Sequence, residues 1–320
     1  MDDHLTHLIA RRRRQDALFG ALGMACTLLG IATLVVLLID LVVAGLPRLN
    51  WSFLTSPTSV LSPSRAGIQV ALIDSLLIMV VTAVTAVPLG VAAGVYLEEY
   101  ARKNWLTSLI ELNISNLAAV PSILYGLLSL GLLLYYLNLF RVGLGEAHDR
   151  WPLGPRGSLA AAGVTLALLI LPIVIVATRE ALRAVPQAIR EAAYALGATR
   201  WQVVRYHLLP YSAGGIATGV IIGLSRAIGE TAPLVTIGAA AFWTALPPSP
   251  VEASPPFVSF DWLVEPFTAM PIQMFNWTQE ARPEYRANAA AAGVVLILMT
   301  LGLNAVAIVL RYRLRRRIKW

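Results

Sequence analysis

Six stretches of this chain run for 18 to 29 residues without a charged side chain: Ala17–Ile39, Ser75–Leu97, Leu112–Phe140, Gly157–Thr178, Leu208–Ser225 and Ala287–Leu310. About 20 apolar residues in a helix cross the hydrocarbon layer of a bilayer. A helix bonds its own backbone groups, which hydrocarbon cannot. The runs therefore dictate an all-α membrane protein with six transmembrane helices. Composition agrees, with 57% hydrophobic residues and 13% charged, against about 25% charged in soluble domains. Mean hydropathy is +0.69. A disordered chain is excluded and an ordinary soluble enzyme is disfavoured. A seventh run, Thr231–Val251, opens on Pro233 and closes on Pro247, Pro248 and Pro250. Its apolar heart, Leu234–Leu246, has 13 residues, a length suited to a re-entrant or interfacial segment.

The basic residues orient these helices. With both termini in the cytoplasm, the inner segments hold 17 of the 25 Lys and Arg: Arg11–Arg14, Arg102, Lys103, Arg179, Arg183, Arg190, Arg200, Arg205 and six within 311–320. The outer loops hold seven: Arg48, Arg65, Arg141, Arg150, Arg156, Arg282 and Arg286. This is the positive-inside pattern, and two Arg-rich ends on one side require an even number of spans. The formal net charge of +7 thus mostly reflects topology and is not a nucleic-acid footprint. The apolar run after Arg11–Arg14 is too long for a cleaved signal and reads as an uncleaved first helix.

The resulting plan has a basic cytoplasmic N-terminus over 1–16, a first transmembrane helix over 17–45 and a periplasmic loop over 46–69. A five-helix core over 70–310 and a basic cytoplasmic C-terminus over 311–320 follow. Asp40 and Asp74 fall near outer helix ends, where a carboxylate can reach water. The lone Cys26 excludes an intrachain disulfide framework and a multi-Cys metal site. The longest outer connection, 245–286, is rich in Pro and Trp, including Trp262 and Trp277. It reads either as an interfacial loop with Trp at the headgroup level or as a docking surface for an extracytoplasmic partner.

The inner loop 185–210 is the most informative stretch. Pro186 suits the first turn of a helix, Gln187–Leu196 has helix-forming composition, and Gly197 is placed as a left-handed stop. Thr199 can cap a second helix, Arg200–Leu209, leading into the fifth span. The pattern is Glu191-Ala192-Ala193, three residues, Gly197, nine residues, then His207-Leu208-Leu209-Pro210. It resembles the EAA motif of bacterial ABC importer permeases, with His207 where the general motif has Ile. The resemblance implies a type I ABC importer permease fold and a loop gripped by a separate ATPase. Ala192 and Ala193 would let the short helix seat in the partner's groove, Glu191 would offer a carboxylate at its rim, and Gly197 would set the angle between the helices. A phosphate-cradling P-loop needs Gly-Lys-Ser/Thr, and neither Lys103 nor Lys319 follows Gly. The chain is thus expected to be non-catalytic and without cofactor, with ATP and Mg held by the ATPase.

In the fifth span, Arg226 lies 16 residues beyond Pro210, some 24 Å along a helix at about 1.5 Å per residue. An Arg at that depth costs roughly 2.5–3.5 kcal/mol on insertion scales, so it needs a partner. Glu230, four residues on, shares its face. Gly215, Gly219 and Gly223 fall in the same stripe, where glycine lets another helix approach. Two readings stand: a self-satisfied structural ion pair, or a gate in an anion pathway. A guanidinium matches a tetrahedral oxyanion with paired hydrogen bonds, and a neutralising Glu would stop it holding the anion permanently.

The surrounding words are specific. Ser225-Arg-Ala-Ile-Gly-Glu-Thr-Ala-Pro-Leu234 closely resembles the fifth-span signature of the PstA permeases of bacterial high-affinity phosphate importers. Pro88–Ala101 and Asn113–Leu127 resemble that family's second and third spans. Ser129 and Ala119 stand where relatives often have Gly. The resemblance covers most of residues 50–310. It implies a heterodimer with a second, PstC-like permease, two PstB-like ATP-binding subunits and a periplasmic PstS-like phosphate-binding protein. It also matches Arg179 to a basic position of the family, a low-ranked pathway candidate beside its plain reading as an inner-end Arg that snorkels. A stand-alone secondary transporter would leave the Glu191 loop unexplained, and a membrane scaffold would leave Arg226 and Glu230 unexplained. A sulfate or molybdate permease would keep the loop and lack the Arg226–Leu234 wording.

Overall fold

A computed structural model describes residues 2–59, 61–136, 157–240, 242–251, 257 and 259–316. The end of the third apolar run (137–140), Arg141, Arg150, Arg156, Pro255, Pro256 and Lys319 lie outside the described residues. In chain order the α-helices are α1 (Asp2–Gly45), α2 (Trp51–Thr55), α3 (Gln69–Val95), α4 (Trp105–Leu117), α5 (Ser122–Leu128) and α6 (Leu159–Arg183). They are followed by α7 (Gln187–Ala195), α8 (Arg200–Val203), α9 (Leu209–Gly229), α10 (Ala232–Thr236), α11 (Met270–Gln279) and α12 (Glu284–Arg316). Five of these, α1, α3, α6, α9 with α8, and α12, anchor segments long and apolar enough to cross a membrane.

The third expected span, Leu112–Phe140, is not one straight helix. Among the described residues α4 stops at Leu117, the chain turns by 111°, and α5 begins at Ser122. Pro121 removes a backbone donor and disfavours helical geometry in the residue before it. Tyr125 Oη then donates to the freed Leu117 carbonyl at 2.8 Å. Counting the bent pair as one span gives six. The first helix starts well before residue 17, so the Arg11–Arg14 cluster rides on helix.

α6 is the axle of the bundle, with sixteen buried residues from Leu159 to Leu182. α3 packs along it closely. A Cβ on Gly90 would come within 2.6 Å of Val174, and one on Gly94 within 2.7 Å of Thr178. Thr82 Oγ1 reaches across to the Gly163 carbonyl at 3.1 Å. On another face α9 runs antiparallel to α6, with Gly215 against Ala181, Gly219 against Ala177 and Gly223 against Ile170. The apolar run after α9 makes only the short α10, which packs on Gly126 of α5 through Pro233 and Thr236. The Ile237 carbonyl accepts from Gly157 N at 2.7 Å. This joins the chain to the N-terminal end of α6.

The end opposite the 185–210 loop has its own core, with Phe53, Ile68, Trp277, Tyr285 and Ala291 among its buried residues. Trp277 is 0% exposed, its ring 6.0 Å from Phe53 and 6.4 Å from Tyr285. Trp262 is also buried, its indole N–H donating to Ser259 O at 3.0 Å. These two residues therefore pack the protein's own interior and do not anchor a headgroup layer. Arg48 gathers the loop between α1 and α3, donating to Asn288 Oδ1 at 2.7 Å and to the carbonyls of Pro63, Ser64 and Ala66. Asp74 does not reach water either. It is 1% exposed, and its Oδ2 accepts from Thr268 N at 2.9 Å. Next to it Ser75 Oγ accepts from Met270 N at 2.8 Å. Two side chains of α3 thus satisfy the backbone leading into α11. Asp40 is exposed on α1.

Candidate functional site

At one end of the bundle, Pro186 precedes α7 and Leu196 closes it. Gly197 then takes φ 79°, the left-handed geometry expected of it. Thr199 caps α8 with a reciprocal box: its Oγ1 accepts from Gln202 N at 3.3 Å, and Gln202 Oε1 accepts from Thr199 N at 2.8 Å. One π-helical turn, Val204–Leu208, carries the chain into α9, with Pro210 in its first turn.

The helix pair presents two faces. Ala193 turns inward and is buried against a cluster of Val95, Leu182, Val185, Val203, Val204 and Leu208. This corrects the expectation that both alanines seat in a partner, because Ala193 sits in a groove of its own chain. Glu191 and Ala192 remain exposed. Beside them Leu196 is 89% exposed, and Tyr194, Trp201 and Tyr206 also lie open. Such an apolar surface with a charged neighbour marks a protein contact more than a solvated loop.

Charge ties this end together in a way that spacing alone did not reveal. Arg190 Nη2 meets Glu99 Oε1 at 2.9 Å and the Leu182 carbonyl at 2.9 Å, while Nη1 donates to the Val185 carbonyl at 2.8 Å. Glu98 takes Arg183 at 2.9 Å and Arg179 at 3.5 Å. Arg179 is buried and meets Glu111 Oε1 of α4 at 2.6 Å. Arg179 and Glu111 line a cleft of about 350 Å³ between α4 and α6, with Ser108, Ser115, Asn116 and Arg183. Arg179 is thus held between two carboxylates, and the paired acids Glu98 and Glu99 are the signal that the sequence offered.

The second constellation lies along α9. Gly215, Gly219 and Gly223 all face α6, so the helix they admit belongs to the same chain. Arg226 follows one turn after Gly223, near the level of the middle of α6. It sits in the last turn of α9, because the helix ends at Gly229 and Glu230 is extended at φ −80° and ψ 114°. The predicted contact is present, with Arg226 Nε donating to Glu230 Oε1 at 3.2 Å. The Arg side chain is 36% exposed and the Glu 17%. Among the described residues the two Nη groups have no other hydrogen-bond partner, which leaves the paired edge of the guanidinium open. Ser225 Oγ donates to Asn304 Oδ1 of α12, a contact that sequence reading missed because an Asn 79 residues away gives no local signal. The loop 185–210 and the Arg226 pair are joined by one continuous rod, α8 through α9, packed on α6.

Comparison with known proteins fits this geometry. Residues 86–320 match the family model described as binding-protein-dependent transport system inner membrane component. The chain is 33% identical to the phosphate transport system permease protein PstA of Yersinia pestis, over 93% of this chain and 90% of that one. It is 30% identical to a probable phosphate transport system permease protein PstA of Methanocaldococcus jannaschii, over 96% of both. A chain of the inward-facing MetNI methionine ABC transporter shares the fold with a TM-score of 0.52 and 17% identity, covering 79% of this chain and 98% of that chain. A multi-pass helical bundle fits such a component, and the chain belongs to the family of binding-protein-dependent transport system inner membrane components, non-catalytic permeases of the inner membrane.

Proposed function

We propose that this chain is the permease subunit of an ATP-driven importer of inorganic phosphate, forming half of the translocation pathway and coupling it to a separate ATPase. The observation that carries the reading is the Arg226–Glu230 pair at the break after α9, set within the Ser225–Leu234 wording of a chain similar to PstA permeases over nearly its whole length. A guanidinium with its two Nη groups open offers parallel donors to a tetrahedral oxyanion. Glu230 on Nε limits how long the anion stays. Discontinuous helices are where membrane proteins place ion and substrate contacts.

In this reading the 185–210 loop lies in the cytoplasm and the 245–286 loop in the periplasm. Glu191, Ala192, Tyr194 and Leu196 face the ATPase, which holds ATP and Mg. Gly197 and Pro210 fix the loop's turns, and Gly215, Gly219 and Gly223 fasten α9 to α6. The assembly is completed by a PstC-like permease, two PstB-like ATP-binding subunits and a PstS-like periplasmic protein. A second reading, a purely structural ion pair, draws on the placement of Arg226 in the last turn of α9, where a helix C-terminus favours a cation.

Uptake into vesicles holding the permease with these partners tests the proposal, with phosphate, arsenate and sulfate compared. Phosphate and arsenate should enter and sulfate should not. Uptake of sulfate in place of phosphate would overturn it.

A further inference from the structure

The ATPase face of the 185–210 loop says where force arrives and not how it reaches the membrane helices. Three segments meet at that point: the start of α7, the C-terminal turn of α6, and the π-helical turn Tyr96–Tyr100 that ends α3. Arg190 sits on the residue before Glu191 and joins all three. Its guanidinium spans Glu99 on the α3 side, the carbonyl of Leu182 in the last turn of α6 and that of Val185 just beyond it. The Leu182 carbonyl already accepts from Val185 N at 3.1 Å, so Arg190 adds a second bond there, and Val185 lies two residues past the helix end. The pair is mostly buried, 12% and 10% exposed. Burial shields it from salt and makes loss of one partner costly. A buried Arg fork with three acceptors has one geometry, whereas a solvated Lys or Arg would swing.

We propose that Arg190 is a positioning residue for coupling: with Glu99 it locks α7 to the ends of α3 and α6, so that displacement of the Glu191 face moves both helices as one body. Glu98, next to Glu99, holds Arg179 and Arg183 of α6. Motion of this joint therefore acts directly on the α4–α6 cleft closed by Arg179 and Glu111. The inference rests on the importer reading above.

The test uses the full complex in vesicles and measures three things: co-purification of the ATPase, ATP hydrolysis, and anion taken up per ATP hydrolysed. Arg190→Gln and Glu99→Ala should each assemble and hydrolyse ATP, with uptake per ATP lowered at least about tenfold, because the charge-assisted bonds that tie α7 to α3 are lost. Arg190→Lys should fall between these variants and the parent. A cysteine pair at 99 and 190, on a Cys26→Ser background and joined by a short thiol cross-linker, should restore uptake per ATP that the reduced pair lacks. Undiminished uptake per ATP in Arg190→Gln, or a cross-link that blocks uptake, would overturn the joint. So would loss of assembly in both substitutions together with no recovery on cross-linking, which leaves Arg190 as a folding contact only. If the parent complex carries an anion other than phosphate, the importer reading fails in its substrate, and the same ratio, measured with that anion, still judges the joint.

Discussion

Among the described residues Arg226 has one hydrogen-bond partner and an open edge, and that asymmetry separates its two readings. If the pair only neutralises itself, replacing both members with amides removes the charge problem and leaves packing intact. If the open edge meets the anion, the same change removes the donor fork. Arg226→Gln with Glu230→Gln should therefore insert and assemble at parental abundance, yet lose phosphate uptake by about 10- to 100-fold, the equivalent of roughly 1.5–3 kcal/mol for hydrogen bonds to a charge. Parental uptake at matched abundance would leave the pair structural. Asp74 makes a different case. Its buried carboxylate serves Thr268 N, so Asp74→Ala strands a buried donor and should cost about 1–3 kcal/mol. The readout is a lower thermal midpoint of the purified chain in detergent, and an unchanged midpoint would show that the bond is dispensable. The Arg226–Glu230 contact was legible because its partners lie only four residues apart in sequence, Arg226 in the last turn of α9 and Glu230 just past its end. Asp74–Thr268 and Arg190–Glu99 were not, since 194 and 91 residues separate the partners and no helical period links them.

Helices pack here by removing side chains from one surface, and each glycine can be weighed by what a methyl would meet. At Gly219 a Cβ would overlap Ala177, while at Gly223 the nearest atom, Ile170 Cβ, is 3.4 Å away. Gly219→Ala should push α9 off α6 and cost about 1–3 kcal/mol, as overpacking does. Gly223→Ala should be tolerated or gain up to about 1 kcal/mol from helix propensity. Comparing thermal midpoints of the two variants checks the register directly, and equal losses would mean that the α6–α9 crossing is wrong. The core at the end opposite the 185–210 loop rests on one large ring instead. Trp277→Ala should cost about 3–5 kcal/mol, seen as loss of folded protein in membranes, with little change if the Trp were only a headgroup anchor. Periodicity and length gave the long helices. They hid the α4–α5 break, because apolar residues continue straight across Pro121, and they hid the burial of Trp277, because an outer loop rich in Pro and Trp looks interfacial until a second layer folds over it.

On the scale of the whole molecule, topology connects the charge bias to the two functional regions. The Gly45–Ala290 and Gly293–Leu41 contacts make α1 and α12 antiparallel, so both chain ends lie on one side of the bundle. The cluster joining Val95, Leu182 and Leu208 puts the 185–210 loop at the end of α3 and α6 and the start of α9. The Asp74–Thr268 bond puts the later loop at the opposite end. These relations were readable from even span number and the Arg distribution, whereas the identity of the surfaces was not. α1 leaves Leu22, Leu29 and Val36 open along its length, and lipid and a second permease would both cover such a face. Orientation in the membrane follows from the Arg-rich ends and is testable with thiols. Leu196 and Val251 are exposed at opposite ends of the molecule. On a Cys26→Ser background, needed because Cys26 is open on α1, Val251→Cys should react with an impermeant maleimide added outside spheroplasts. Leu196→Cys, in cells lacking the ATPase subunits that would cover it, should react only after the membrane is opened. Labelling of Leu196→Cys from outside with Val251→Cys protected would invert the protein and remove the Glu191 face from reach of any cytoplasmic ATPase, and with it the coupling role assigned to the loop.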